Sequence, residues 1–431
     1  MARRWRNWAG NVTARPAERV RPRSEAEVAS IVSRLEGGGG RAKVIGSGHS
    51  FTPAAATEGT LVDVSRLRGV RGVDREALTV RVGAGTVLAD LNDELHDLGL
   101  AMPNLGDIAY QTVAGAISTG THGTGAAFGG LAAQVRGFRL VDGRGQVHEC
   151  SASSNADIFD LGRVSVGALG VVTEYALEVV PSFRLHAVEG VAPVAAVLEQ
   201  LDDLVAGTDH FEFYWLPHTR WALTKRNTRT QEPPAPLPRM RAWWDKKIVE
   251  NYGFGALCRL GSLRPSLIPR LATALPSSGG RDWIDDSFRV FASTRIVRFL
   301  EMEYAMPRAA LPSALNDLMA MVEARGHLVS FPVEVRFASA DDVALSTAHD
   351  RDSCYVAVHM YRRSDHTAYF RDAEAIFTAH GGRPHWGKMH TRTADDLSAL
   401  YSRFGDFLAL RDRLDPGRVF ANVYTERVFG R

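Results

Sequence analysis

Three glycine-rich turns, each set against a short apolar run, fall between Lys43 and Tyr175 and constrain this part of the chain to a fold with bare backbone at its turns. The first is KVIGSGHSF (43–51). The second, TVAGAISTGTHGTG (112–125), interleaves Gly115, Gly120, Gly123 and Gly125 with Thr112, Ser118, Thr119, Thr121 and Thr124. The third, SVGALGVVTEY (165–175), places Gly167 and Gly170 before a strand-like run. Glycine lets main-chain N–H groups approach a phosphate, and a concave set of such groups binds anions. The first turn is not GxGxxG, because Phe51 stands where the third glycine belongs, and it is not GxxxxGK[ST]. Any one of these stretches could be a simple turn. Together they favour a large, phosphate-bearing ligand.

The surrounding pattern predicts a dense mixture of short strands and helices over residues 1–180. SEAEVASIVSRLEGGGG reads as a helix with a Ser24/Glu27 capping box and a glycine stop. RAKVIGS, TLVDVSRL, ALTVRVGAG and GVVTEYALEVV read as strands, VLADLNDELHDLGL as a helix, and QVRGFRLVDGRGQVHE as a hairpin turning at Asp142-Gly143. Beyond Pro181, longer helices (VAAVLEQLDDLVAG, ALPSALNDLMAMVEARG) alternate with aromatic strands (HFEFYWLPH, SCYVAVHMYR). The expectation is an α+β protein of two domains, 1–180 and 181–431. The Pro-rich TRTQEPPAPLPRMRAWWDKK is read as a loop.

With 51 basic and 49 acidic residues, the charge balance gives no reason to expect nucleic-acid binding. Cys150, Cys258 and Cys354 are far apart, odd in number and in no CxxC, so neither a disulfide framework nor a cysteine metal site is expected. The basic start MARRWRNWAGN lacks a following apolar stretch, and no long apolar run occurs, so the protein is read as cytoplasmic. Residues 251–281 carry Arg259, Arg264, Arg270 and Arg281 and no acid. A solvated helical excursion is the preferred reading of that stretch, above docking on an anionic membrane surface.

NWAGN (7–11), VIGSGHSF (44–51), PNLGD (103–107), VAGAISTGTHGTG and GALGVVT together resemble the FAD-binding half of the vanillyl-alcohol-oxidase superfamily. VEVRF (333–337), RDSCY (351–355), GGRPHWGK (381–388) and LDP (414–416) resemble its sugar-lactone branch, the L-gulono-1,4-lactone and D-arabinono-1,4-lactone oxidases, with alditol oxidases as near relatives. The similarity covers nearly the whole chain and is weakest from 226 to 285. It implies a two-domain fold with an FAD-binding domain and an α+β cap over the substrate, residues 385–431 returning to the flavin. It implies FAD joined to His49. It further implies that Val44, Ile45, Gly46, Ser47, Gly48 and Ser50 line the pyrophosphate and ribityl chain, with Phe51 and Thr52 extending that loop. Thr112, Gly115, Ala116, Ile117 and Ser118 would approach the ring and phosphates and Val171 would present backbone atoms to the adenine, only the backbones of the apolar members being meant and core packing being their alternative; Asp107 would reach both cofactor and substrate.

Flavin chemistry requires a substrate C–H facing the ring, a group to take the hydroxyl proton and a fixed cation near the reduced ring. Glu334 and Arg336, two apart in a predicted strand, share a face, and Lys388 is one of only five lysines. The resemblance makes these three the catalytic candidates, with the base left open between Lys388 and the Glu334/Arg336 pair. His359 and Tyr361 share a strand face as substrate contacts, core packing being the alternative. Tyr361 stands where alditol oxidases carry threonine. His122, His385 and His390 are read as structural, and no metal is expected. Gly106 matches an oxygen gate, which with Asp107 leans toward an oxidase of a sugar lactone, using O2 and giving peroxide. An alditol oxidase, a lactone dehydrogenase with another acceptor, and a flavin module without turnover are the alternatives.

Overall fold

The computed structural model describes residues 4–238, 240, 243, 251–273, 279–292 and 295–431. Part of the Pro-rich loop and of the stretch 251–281 lies outside them.

The first layer is a three-stranded parallel sheet in the order Glu18–Val20, Thr60–Asp63, Ala42–Ile45. Parallel neighbours need a crossover, and Glu25–Gly37 supplies one, burying Val28, Val32 and Leu35 at helical spacing. Ser24 caps it by accepting from the Glu27 amide. The Glu27 carboxylate reaches back to Arg23 N instead of Ser24 N, so the predicted box is only half formed. Next comes a five-stranded antiparallel sheet in the order Val147–Ser151, Val135–Val141, Val171–Glu178, Thr79–Gly83, Val70–Asp74. The expected hairpin is present. Its turn is pinned by Asp142 Oδ1, which accepts from the amides of Arg144 and Gln146, and Gly145 takes the left-handed position.

From Arg184 onward the chain builds an eight-stranded antiparallel sheet. Its order is Arg281–Asp286, Arg184–Pro193, Trp221–Thr230, His210–Trp215, Val333–Ala338, Ser353–Tyr361, Phe299–Pro307, Arg383–Pro384. Strand alternation divides its central strands into two unlike faces. One carries Phe211, Phe213, Trp215, Leu300, Met302, Val333, Val335, Val356 and Val358 and packs on the helices Leu311–Ala324 and Thr367–Ala379. The other carries Glu212, Tyr214, Glu301, Glu303, Glu334, Arg336, Tyr355 and His359. The second face is polar and yet covered, which is what a site requires and a solvated face does not.

The helix expected over 194–207 is two, Val194–Glu199 and Leu201–Ala206, interrupted at Gln200 (φ −100°). The last segment crosses back. Leu397, Tyr401, Phe404, Phe407, Leu414, Val428 and Phe429 pack into one core with Leu88, Val113 and Phe138 of the amino-terminal part. Of the basic stretch, Phe254–Leu263 and Ile268–Thr273 are helical as expected. Arg281 is paired with Glu189. Among the described residues no helix is long and apolar enough to cross a membrane.

Candidate active site

Two cavities meet at His49. The first, about 920 Å³ with its open mouth counted, is lined by the three glycine turns: residues 43–50, Thr112, Gly115, Ser118 and Thr119, and Ser165, Val166, Gly167, Gly170 and Val172. The turns are shaped for close approach. A Cβ on Gly46 would lie 2.0 Å from Thr112 Oγ1, and Gly48 has φ +70°. Thr112 is held there because its hydroxyl accepts from Gly115 N at the start of the helix Val113–Ser118. A groove lined by glycine-rich main chain fits a dinucleotide such as FAD, whose phosphates want N–H donors without side chains in the way.

Several expected contacts sit elsewhere. Ala116 and Ile117 pack in the apolar core and do not line the groove, whereas Thr112, Ala114, Gly115, Ser118 and Thr119 do. Val171 is likewise turned into the core by strand alternation, while its neighbours Gly170 and Val172 line the groove. Phe51 and Asp107 line the second cavity and not the first, and Gly106, read as an oxygen gate, lines the second as well. Lys43, given no role by sequence reasoning, lines the groove with Nζ 3.2 Å from the carbonyls of Gly167 and Phe420. Burial pushes its ammonium down to about 8 against the pull of Asp415.

His49 and Ser50 line both cavities. The opening NWAGN braces them: Trp8 N donates to Gly48 O (2.8 Å), Asn7 Nδ2 to Ser50 O (2.9 Å) and Asn11 Nδ2 to Phe51 O (2.9 Å). The Trp8 ring stacks on His49 with centroids 5.6 Å apart. Burial, helped by the Lys388 charge, lowers the His49 imidazolium to about 4, so the ring is neutral near pH 7.

The second cavity, about 960 Å³, has the polar sheet face as its floor. The register sets the floor out in rows. Tyr214, Glu334, Ala357 and Glu303 lie across four strands in one row, with small Ala357 leaving depth at the centre. His359 and Glu301 are partners in the next row. Arg336 Nη2 is 2.5 Å from Glu334 Oε1, and its Nε donates to Glu212 (2.8 Å), which also meets Lys225 (3.2 Å). Tyr214 donates to Glu334 (2.9 Å).

The carboxyl-terminal return supplies the wall. His385 N donates to Glu303 O, Met389 N to Glu301 O, and Phe51 N to Gly387 O, so HWGK is laid between the flanking strand and the His49 loop. Lys388 Nζ thereby sits 2.5 Å from Glu301 and 4.0 Å from Glu303. Burial alone would lift Glu301, but Lys388 and His359 outweigh it and hold the carboxylate at about 2. In turn Glu301 and Glu303 outweigh the burial of Lys388 and raise its ammonium above the usual lysine value. Glu334 goes the other way: burial, with Glu212 and Asp107 nearby, raises it despite Arg336.

The candidates Glu334, Arg336, Lys388 and His359 therefore share one cavity, as do Asp107 and Gly106. Tyr361 does not line it; at the end of its strand it is half-buried against the apolar core. Sequence reasoning missed Glu301, Glu303, Tyr214 and Arg295, the last paired with Asp107 (2.8 Å). It also took His122 and His385 as structural, and both line the cavity, whereas His390 bonds Tyr424. In FLEMEYAMP the acids Glu301 and Glu303 are two apart and so share a strand face, a pattern that an ordinary half-solvated strand also shows.

Comparison with known proteins agrees with this geometry. Residues 16–151 match the model of an FAD-binding domain, and residues 175–428 match that of D-arabinono-1,4-lactone oxidase. The chain is 41% identical to the L-gulono-1,4-lactone dehydrogenase of Mycobacterium tuberculosis, with 99% of each chain covered. It is 36% identical to the L-gulonolactone oxidase of Bos taurus (99% and 98% covered), and 32% identical to an alditol oxidase of a Streptomyces species (97% of each). A solvent-stable cholesterol oxidase, 17% identical, superposes with a TM-score of 0.82 over 99% of this chain and 97% of its own, a likeness of fold alone. With a family match spanning more than half its length and relatives of this similarity along all of it, the chain belongs to the D-arabinono-1,4-lactone oxidase family.

Proposed function

We propose that this protein oxidises the secondary alcohol beside the carbonyl of a sugar 1,4-lactone, with FAD in the glycine-lined groove. The observation that carries the reading is the junction at His49. His49 lines both a groove suited to a dinucleotide and a cavity floored by Glu334, Arg336 and Glu301 and walled by Lys388. Residues 1–180 form the cofactor domain and 181–431 the cap, with 385–431 returning to the flavin. Bound FAD would supply the two-electron acceptor. Arg336 and Glu334 offer donor and acceptor to the lactone's oxygens and orient it, and Tyr214 fixes Glu334. Lys388 supplies a fixed positive charge where negative charge develops. The cap excludes water from these groups, which strengthens each interaction. An aerobic screen of aldonolactones and alditols, read by peroxide, is expected to respond to lactones first; a response to alditols alone would overturn the substrate class.

The electron acceptor follows from Gly106 in this reading. Gly106 lines the substrate cavity without a side chain, at a position where a Cβ would crowd His122 O (3.0 Å) and Thr121 Cγ2 (3.3 Å), and this bare backbone supports O2 as the acceptor. The 41%-identical relative is named a dehydrogenase, which supports a second reading: turnover with a dye or cytochrome c and no peroxide. The same screen with both readouts decides between them.

His49 carries the flavin covalently. A neutral imidazole with an available lone pair is the form able to bond carbon, and its low proton affinity supports the link. Acid-precipitated protein is expected to stay yellow, with the flavin mass on the peptide containing His49. Complete release of flavin would show a noncovalent cofactor. The cysteines Cys150, Cys258 and Cys354 are buried and unpaired, which supports a reducing compartment such as the cytoplasm.

A further inference from the structure

Among the described residues, His49, Ser50, Gln111 and Thr119 line both cavities. A ring that takes a hydride must belong to the cofactor groove and still face the substrate, so it lies against these four. His49 and Ser50 are part of the first glycine turn. The Thr119 hydroxyl donates to Gly115 O (2.9 Å) and has no hydrogen left for a ligand. Gln111 is a residue to which sequence reasoning gave no role.

The main chain at Gln111 is pinned. Its carbonyl accepts from Leu88 N (2.9 Å) at the start of the helix Leu88–Asp97, and the next residue, Thr112, is bridged to Val87. The side chain is pinned as well, because Nε2 donates to Thr121 Oγ1 (3.2 Å). Thr121 is itself fixed: its amide donates to Ala116 O and its carbonyl accepts from Leu131 N, at 2.9 Å each. A primary amide has two N–H donors and one carbonyl acceptor. One N–H is used on Thr121. The second N–H and Oε1 have no partner among the described residues, and the side chain is only half-buried where the two cavities meet. With the amide turned over, Thr121 would donate to its oxygen and both N–H groups would be left. Either orientation therefore leaves an N–H donor at the junction.

An oxidised flavin ring is neutral, with acceptor atoms along its polar edge, and the reduced ring carries negative charge there. Hydrogen bonds to a charged acceptor are stronger than those to a neutral one. A donor fixed beside that edge thus favours the reduced form, and a donor already anchored needs no reorganisation as the charge develops. We propose that the Gln111 amide hydrogen-bonds the polar edge of the flavin and raises its reduction potential. Lys388 lines the substrate cavity alone, so its charge meets the ring from the substrate side and Gln111 meets it at the groove. The assignment rests on FAD as the groove's ligand and extends the role of this turn from holding the cofactor to setting its electron affinity.

The test uses the holoprotein and two readouts that need no turnover. One is the anaerobic reduction potential of the bound flavin. The other is its affinity for sulfite, which adds to the oxidised ring and leaves it anionic. Gln111→Leu is expected to weaken sulfite binding about tenfold and to lower the potential by the same factor, about 30 mV for a two-electron couple. Gln111→Glu keeps the size of the side chain. At pH 8 its carboxylate replaces donors with a negative charge, so the fall should be larger. Thr121→Val separates tuning from support. If Gln111 served only to hold Thr121, substitutions at the two ends of that bond would have equal effects. As a ring donor, Gln111 keeps its N–H groups without Thr121, so Thr121→Val should move both readouts less than Gln111→Leu does. Should Gln111→Leu fold, by circular dichroism, without loading flavin, Gln111→Glu carries the measurement. A yellow Gln111→Leu protein with wild-type potential and sulfite affinity, or an equal shift in Thr121→Val, would overturn the proposal and leave FAD as the groove's ligand. Wild-type protein that takes up no flavin would remove the cofactor reading, and this proposal with it.

Discussion

Lys388→Met is expected to lower turnover by about 10²–10³-fold, the usual cost of removing one fixed electrostatic group from an active site, while the protein keeps its flavin. Lys388 lines the substrate cavity and not the dinucleotide groove, so cofactor content should hardly change. The loss should be the same across the neutral pH range. Glu301 and Glu303 raise the ammonium above its usual value, so wild-type Lys388 is charged throughout that range and supplies no titration of its own. Stability should fall as well. The substitution leaves Glu301 buried without its cation, and removing one partner of a buried pair costs about 3 kcal/mol or more. Lys388→Met with Glu301→Gln should recover part of that loss, since the stranded charge is gone. The pH dependence has a definite sign. Glu301 is held at about 2 against an ordinary 4.5, so its contribution to stability is present above pH 4.5 and is lost as the pH falls toward 2. The contribution of Lys388 is present below the unfolded lysine value of about 10.4 and is lost as the pH rises through its higher folded value. Turnover, flavin absorbance and melting temperature of the single and double variants check all of this. A Lys388→Met protein with near-normal turnover would exclude the fixed-cation role.

Much of the fold was legible because local signals and tertiary context agree. Ser24, the apolar spacing of Val28, Val32 and Leu35 and the glycines after them gave the first helix, and Asp142 marked its hairpin. The glycine turns, which line one cavity, were legible as a group because close approach of backbone leaves a compositional mark. Side-chain direction within a turn was less so: Ala116, Ile117 and Val171, expected to offer backbone atoms, turn their side chains into the core. Glu301 and Glu303 were missed because FLEMEYAMP alternates apolar and acidic residues, as a strand with one solvated face does. Both faces of that strand are buried, and only the covering by the His385–Met389 segment, more than 80 residues on, makes the acids part of a site. Long-range covering of this kind leaves no local mark. The same holds for Arg295 on Asp107, a pair 188 positions apart.

Gly46→Ala is expected to abolish cofactor loading in a protein that still folds. The added Cβ would sit 2.0 Å from Thr112 Oγ1, 2.9 Å from its Cγ2 and 3.0 Å from its Cβ, so a rotation of the hydroxyl alone cannot relieve the clash. Thr112 cannot leave without giving up its bond to Gly115 N, a cap worth about 1 kcal/mol, and the short helix it starts lines the groove. The strand before Gly46 is held on its other side: Val44 and Ile45 pair with Val62 and Asp63 in the parallel sheet. The strain must therefore move the Thr112 turn, the strand end or both, and each shift is at the cofactor wall. Two opposed walls made of main chain have no rotamer with which to absorb a displaced ligand. Thr112→Ala in the same chain removes the 2.0 Å and 2.9 Å contacts and leaves the one at 3.0 Å, so the double variant should regain part of the flavin. Absorbance of the purified proteins, with circular dichroism to establish folding, reads the result. A fully yellow Gly46→Ala protein would mean that the first glycine turn is not where the dinucleotide lies, since no other site can be crowded by that one methyl group.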